Sequence, residues 1–176
     1  PNSIIEIGSY AFAYCSNLTS ITIPDSVTAI GEWAFRSCSR LTSVTILEGV
    51  TKISAGAFSY CSNLTSITIS DSVTSIGEYT FMSCTKLTSI TIPDSITTIN
   101  YSTFSFCSNL TSIAIPSSVT YIGKDAFYMC RNLKKVYYSG SEEQWYATVI
   151  QDHIEGDYNS PLKSATILYN QTEPWR

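Results

Sequence analysis

The chain has 176 residues, of which only 14% are charged where an ordinary soluble domain carries about 25%; 28 Ser and 21 Thr supply polarity instead. A hydrophobic content of 44% at a net charge of −4 excludes an intrinsically disordered chain. No apolar run approaches the ~20 residues needed to cross a bilayer, and the longest basic run is Lys134-Lys135, so the electrostatic footprint of a nucleic-acid binder is missing. Spacing is more informative than composition. Cys15, Cys38, Cys61, Cys84, Cys107 and Cys130 recur every 23 residues, which is how repeats are spaced rather than disulfide frameworks or zinc sites.

The same interval organises the rest of the chain. Phe12, Phe35, Phe58, Phe81, Phe104 and Phe127 form a second column, and Leu18, Leu41, Leu64, Leu87, Leu110 and Leu133 a third. Apolar β-branched residues follow each Leu at +3 and +5, with Tyr138 the one exception, and two more such columns precede each Phe. Six copies span residues 3–140, and a fixed period in this range signals a solenoid. Within a copy, Leu18–Ile23 alternates apolar and polar residues and predicts a short half-buried strand. Pro24-Asp25-Ser26 predicts a turn, and Val27–Gly31 a second extended piece. Glu32–Cys38 carries helix formers, and the Phe-to-Cys offset of three predicts one or two helical turns burying both side chains. One copy cannot bury its own apolar edge, so stacking supplies the core, with each coil adding a parallel strand at roughly 4.8 Å.

The consensus S-V-T-x-I-G-x-x-A-F-x-x-C-S-x-L-T-S-I-T-I-P-D resembles the leucine-rich repeat, and specifically its BspA-like class. The L-x-x-I-x-I pattern covers the strand and I-G-x-x-A-F-x-x-C the remainder, in phase six times over about four fifths of the chain. The resemblance implies a leucine-rich repeat solenoid with a parallel β-sheet on the concave side and short strands or helical turns on the convex side. It also implies a secreted or surface-attached bacterial protein that binds host or partner macromolecules.

The ends depart from the period. Beyond residue 140 the chain reads as a divergent seventh coil and C-terminal cap over 141–176. Trp145 falls 23 residues after Ile122 and is expected to lid the stack, while Leu162, Ala165 and Ile167 restore the Leu, +3, +5 pattern. The pieces Y-Y-S-G-x-x-E-Q-W and A-T-I-x-Y-N resemble the closing coil of bacterial members of the class. Pro1 enters a repeat almost at once, with no leader-like segment, which points to a piece of a longer chain or one whose leader and cap were removed. Ile4, Ile5 and Ile7 then lie on an open edge.

Candidate chemistry is sparse. Buried free thiols are the expected state of the Cys column, because identical side chains in a ladder run parallel rather than toward one another; disulfides between adjacent coils and a metal ladder are the alternatives. His153, near Asp152, Glu155 and Asp157, matches no calcium loop and reads as part of a solvated acidic loop. No G-x-S-x-G elbow occurs, so no catalytic residue, metal or cofactor is assigned.

The outward face of the long strands carries the candidate contact residues. With Ile21 and Ile23 inward, Ser20 and Thr22 face out, followed by Ser43 and Thr45, Ser66 and Thr68, Ser89 and Thr91, Ser112 and Ala114, Lys135 and Tyr137, and Ser164 and Thr166. Lys135 and Tyr137, with Lys134, Tyr138 and nearby Trp145, form the one basic and aromatic cluster. Variation concentrates elsewhere, in the columns Tyr10, Trp33, Gly56, Tyr79, Ser102, Asp125 and Tyr14, Ser37, Tyr60, Ser83, Phe106, Met129. With the resemblance, which implies the adhesive role and the extracellular or cell-surface location, the chain is expected to be a non-enzymatic adhesion or protein-interaction module with a protein partner and neither nucleic acid nor membrane insertion. A structural spacer between other domains is the alternative, followed by a hydroxyl array for ice or a crystalline glycan.

Overall fold

The computed structural model describes residues 3–153 and 156–171. The chain winds as a solenoid whose coils each present three sides. The first side holds the L-x-x-I-x-I segments as strands β2 (Ser20–Ile23), β4 (Ser43–Ile46), β6 (Ser66–Ile69), β8 (Ser89–Thr91), β10 (Ser112–Ile115), β12 (Lys135–Tyr138) and β14 (Thr166–Leu168). The second holds two-residue strands: β1 (Glu6–Ile7), β3 (Ala29–Ile30), β5 (Lys52–Ile53), β7 (Ser75–Ile76), β9 (Thr98–Ile99), β11 (Tyr121–Ile122) and β13 (Val149–Ile150). All pairs are parallel and in register, so Ile21, Val44 and Ile67 lie side by side and identical positions stack into columns.

The third side corrects an expectation. The segment read as one or two helical turns is a run of tight turns. In one coil the N–H groups of Ala34, Arg36 and Cys38 donate to Gly31, Trp33 and Phe35 carbonyls at 3.3, 3.0 and 3.3 Å. The intervening N–H groups of Trp33, Phe35 and Ser37 donate instead to Ala55, Ala57 and Ser59 carbonyls of the next coil at 2.9, 2.8 and 2.9 Å. This alternation needs a left-handed residue twice per coil, and φ is +55° at Trp33 and +57° at Ser37. The two variable columns of the sequence are these left-handed positions, repeated in all six coils. The turn side is therefore a third backbone ladder, which satisfies donors that an isolated turn would leave to solvent.

Inside, the Phe column stacks face to face. Neighbouring ring centroids from Phe12 to Phe127 are 5.1, 5.2, 5.9, 5.5 and 5.4 Å apart, with interplanar angles of 1° to 23°. Phe35, Phe58, Phe81, Phe104 and Phe127 are fully buried, as are the Leu residues from Leu41 to Leu110. The stack has a seam: β2-β4-β6 and β8-β10-β12-β14 are separate sheets, and so are β1-β3-β5-β7 and β9-β11-β13. The turn-side ladder runs through it, with Phe58 N–H on Thr80 O at 3.0 Å and Phe81 N–H on Thr103 O at 2.9 Å. At the seam the Asn100 side-chain amide donates to Ile76 O at 2.7 Å, where Gly31, Gly77 and Gly123 use their backbone N–H.

The C-terminal coil keeps the architecture but shifts the register. Helix α1 (Glu142–Ala147), opened by a capping box between Ser141 and Gln144, is inserted before β13. Ile122 consequently pairs with Ile150 and not with Trp145, and Val136 pairs with Ile167 while Lys135 pairs with Thr166. Ala165 and Leu162 therefore do not occupy the expected +3 and Leu positions; Leu162 fills the core from the short helix α2 (Ser160–Lys163). The last outward pair becomes Thr166 and Leu168 rather than Ser164 and Thr166. Fully buried Asn159 closes the turn side: its Oδ1 accepts from Phe127 N–H at 3.0 Å, and its Nδ2 donates to Gly123 O at 3.0 Å and Gln151 O at 2.9 Å.

Candidate functional site

Hydroxyls on the strand sides divide into two sets. Thr28, Thr42, Thr51, Thr65, Thr74 and Thr111 flank the strands, and each donates its hydroxyl to the carbonyl 23 residues earlier. Thr42 shows the geometry: N–H and hydroxyl share Thr19 O at 2.8 and 3.0 Å. These side chains hold the stack. The outward set, Ser20, Thr22, Ser43, Thr45, Ser66, Thr68, Ser89 and Thr91, lies exposed or half-buried on the long-strand face. Backbone pairing aligns Ser20, Ser43 and Ser66 in one row and Thr22, Thr45 and Thr68 in another. This face is neutral and uniform.

The basic and aromatic cluster is only partly assembled. Lys135 is exposed and Tyr137 half-buried on β12, continuing the rows of Ser112 and Ala114. Trp145 is not beside them on the surface: it is 7% exposed and packs edge-on against Tyr138 with centroids 5.1 Å apart. The α1 insertion carries it under the end of the stack. There it lines a cavity of about 370 Å³ with Tyr146, Thr148, Ile150, Leu162, Lys163 and Ile167. Lys163 meets Asp152 at 2.6 Å and Asp157 at 3.4 Å, and its hydrogen bond holds the Asp152 carboxyl below the usual carboxylate range. The His153 ring lies 4.9 Å from that of Tyr158, and Glu155 lies outside the described residues.

The cysteines are free thiols, exposed at Cys15 and buried at the other five positions. Each buried Sγ–H donates to the carbonyl of the Phe one coil earlier, from Cys38 on Phe12 O at 3.1 Å to Cys130 on Phe104 O at 3.0 Å. Burial pushes the Cys84 and Cys130 thiols up to about 12. A nucleophilic cysteine needs the opposite shift, so these groups read as core.

The turn side gathers the variable side chains. Gly56, at φ +63°, leaves room for the Trp33 ring, since a Cβ there would lie 2.1 Å from Trp33 Cε3. Trp33 thereby reaches across a coil to stack with Tyr79 at 6.2 Å, and Tyr79 meets Tyr101 edge-on at 5.1 Å. The Arg36 guanidinium lies 5.1 Å from the Trp33 centroid and 5.6 Å from that of Tyr60. Further along, Phe106, Tyr128 and Tyr158 continue an aromatic band. The two variable columns marked this side in the sequence. Arg36 and Asn159 went unmarked, because neither stands in a column that names it.

The model of the "BspA type Leucine rich repeat region" matches the chain in six copies, over residues 1–76 and 34–153. A leucine-rich cell surface protein from Faecalibacterium prausnitzii superposes with a TM-score of 0.73 at 40% identity, covering 77% of this chain and 36% of that one. A leucine-rich repeat protein from Bacteroides ovatus gives 0.65 at 30% identity over 96% of this chain and 46% of that one. The pneumococcal vaccine antigen PcpA, at 17% identity and a TM-score of 0.65, shares the fold over 89% of this chain and 42% of its own. The chain thus spans less than half the length of these structures, and no curated protein sequence matches it. Columns of Leu, Phe and Cys, parallel stacking and these matches agree: the chain belongs to the BspA-type leucine-rich repeat family.

Proposed function

We propose that the chain is a non-enzymatic adhesion or protein-interaction module of a bacterial protein displayed outside the cell. The carrying observation is the division of labour in each coil. Backbone ladders, stacked Phe rings and flanking Thr hydroxyls hold the stack together, and the outward residues of the long strands line up in rows. Such a surface binds by many modest contacts, multiplied when several copies engage together. The F. prausnitzii relative's description as a cell surface protein supports the location. On the long-strand face we place Ser20, Thr22, Ser43, Thr45, Ser66, Thr68, Ser89, Thr91, Lys135 and Tyr137 as the broad part of the contact surface, neutral except at Lys135.

The test is surface plasmon resonance of the chain against a panel of purified extracellular-matrix and cell-surface proteins. Saturable binding of at least one, weakened by Tyr137→Ala or by turn-side substitutions, is the expected result. No saturable binding across the panel would overturn the reading in favour of a spacer.

A further inference from the structure

Arg36 stands apart from the other charged side chains of the stack. It is half-buried, its Nε is shut off from solvent without an acceptor, and among the described residues its guanidinium has no carboxylate within ion-pair distance. Two rings nonetheless fix its position, Trp33 of its own coil and Tyr60 of the next. Trp33 is held in turn by the Gly56 gap and the Tyr79 stack. A guanidinium between aromatic faces has lost most of its rotamer freedom before any partner arrives, and its planar fork suits the two oxygens of a carboxylate. Trp, Tyr and Arg are also the residues that dominate binding energy at protein interfaces. Tyr14 and Tyr60, 64% and 40% exposed, lie on the same side in the preceding and following coils.

We propose that Trp33, Arg36 and Tyr60 form the energetic centre of a protein-docking surface on the turn side, where Arg36 receives an Asp or Glu carboxylate from an acidic segment of the partner. This rests on the interaction-module reading and assigns it a location and a chemistry. Charge complementarity selects the acidic segment: among the described residues the site offers a positioned cation with no carboxylate at ion-pair distance, flanked by aromatic rings that displace water from the ion pair.

The test is a ¹H–¹⁵N titration of the Arg36 Nε–H, assigned by its loss in Arg36→Gln, with poly-L-glutamate, poly-L-glutamine and polygalacturonate as probes. A saturable shift with poly-L-glutamate, at least tenfold weaker with the other two, is expected. Arg36→Gln and Arg36→Lys should each raise the apparent Kd about tenfold, and Trp33→Ala several-fold, with melting of Arg36→Lys unchanged as the folding control. An equal response of Arg40 or Arg131 overturns the proposal, and so does equal or tighter binding of polygalacturonate, which would make this an acidic-glycan site. If a panel protein binds wild type and Arg36→Gln alike, this inference fails while the interaction-module reading stands. If no panel protein binds but poly-L-glutamate engages Arg36, the site stands and that reading fails.

Discussion

The long-strand face and the turn side of the same coils are both held by coil-to-coil backbone hydrogen bonds, yet one is monotonous and the other varied. On the strand face, in-register parallel pairing sets neighbouring side chains a strand spacing apart, and small β-compatible Ser and Thr suit every position. On the turn side the variable residues sit at positive φ, from +51° at Ser102 to +63° at Gly56. There the backbone asks only for tolerance of a left-handed conformation, and identity is left to packing between alternate coils, as where Gly56 makes room for Trp33. Uniformity therefore marks where the backbone dictates the side chain, and variation marks where it leaves the identity open.

The largest expected contrast between the two sides lies in their inward and outward residues. Phe81→Ala removes a fully buried ring from the turn-side ladder and should cost about 3–5 kcal/mol, whereas Ser66→Ala on the strand face should stay within about 0.5 kcal/mol; urea denaturation of both reads the difference. Raising pH should weaken the turn side through its thiols. Unfolded thiols titrate near ~8.5, whereas folded Cys84 and Cys130 titrate at about 12. Their neutral form favours the fold, so stability present below the lower value is lost between the two as the unfolded state releases protons first. A Cys84→Ala variant should show a shallower fall over that window. Under native conditions near neutral pH only Cys15 should react quickly with a thiol reagent, and all six after denaturation.

Smaller effects sharpen the same comparison. Asn159→Ala removes the acceptor of Phe127 N–H and the side-chain donor to Gln151 O, leaves Gly123 O only its 3.4 Å bond from Ala126 N–H, and should cost about 2–4 kcal/mol, with hydrogen-exchange protection lost first at Phe127. Thr65→Val beside β6 removes a single hydroxyl bond to Thr42 O and leaves the N–H bond in place, so about 0.5–1 kcal/mol is expected from its melting.

Much of this was legible from the 23-residue period. The columns of Leu, Phe and Cys, the strands, the free thiols and the outward hydroxyl rows follow from spacing and alternation alone. The left-handed turns were not legible, because their usual markers are nearly absent: of the six residues in the first left-handed column only Gly56 is glycine, and helix formers such as Glu32 and Ala34 surround the others. Propensity yielded to the coil-to-coil ladder. Trp145 packs into the end of the core as expected of a lid, but not from the Ile column: counting 23 past Ile122 ignores the inserted helix, and the pairing of Ile122 with Ile150 reveals the slip. Arg36 and Asn159 draw their roles from neighbours in other coils, a relation that no single column displays.

Opposite signs for one substitution on the two sides test the central claim most directly. Ser83 has φ +60°, whereas Ser66 begins strand β6. Chemical denaturation of Ser83→Gly and Ser66→Gly should therefore move the midpoint in opposite directions: Ser83→Gly stabilises by up to about 1 kcal/mol through relief of left-handed strain, and Ser66→Gly destabilises by about 0.5–1 kcal/mol. Destabilisation by both, to the same extent, would contradict the account of the turn side as a third, left-handed ladder that leaves its outward side chains free to vary.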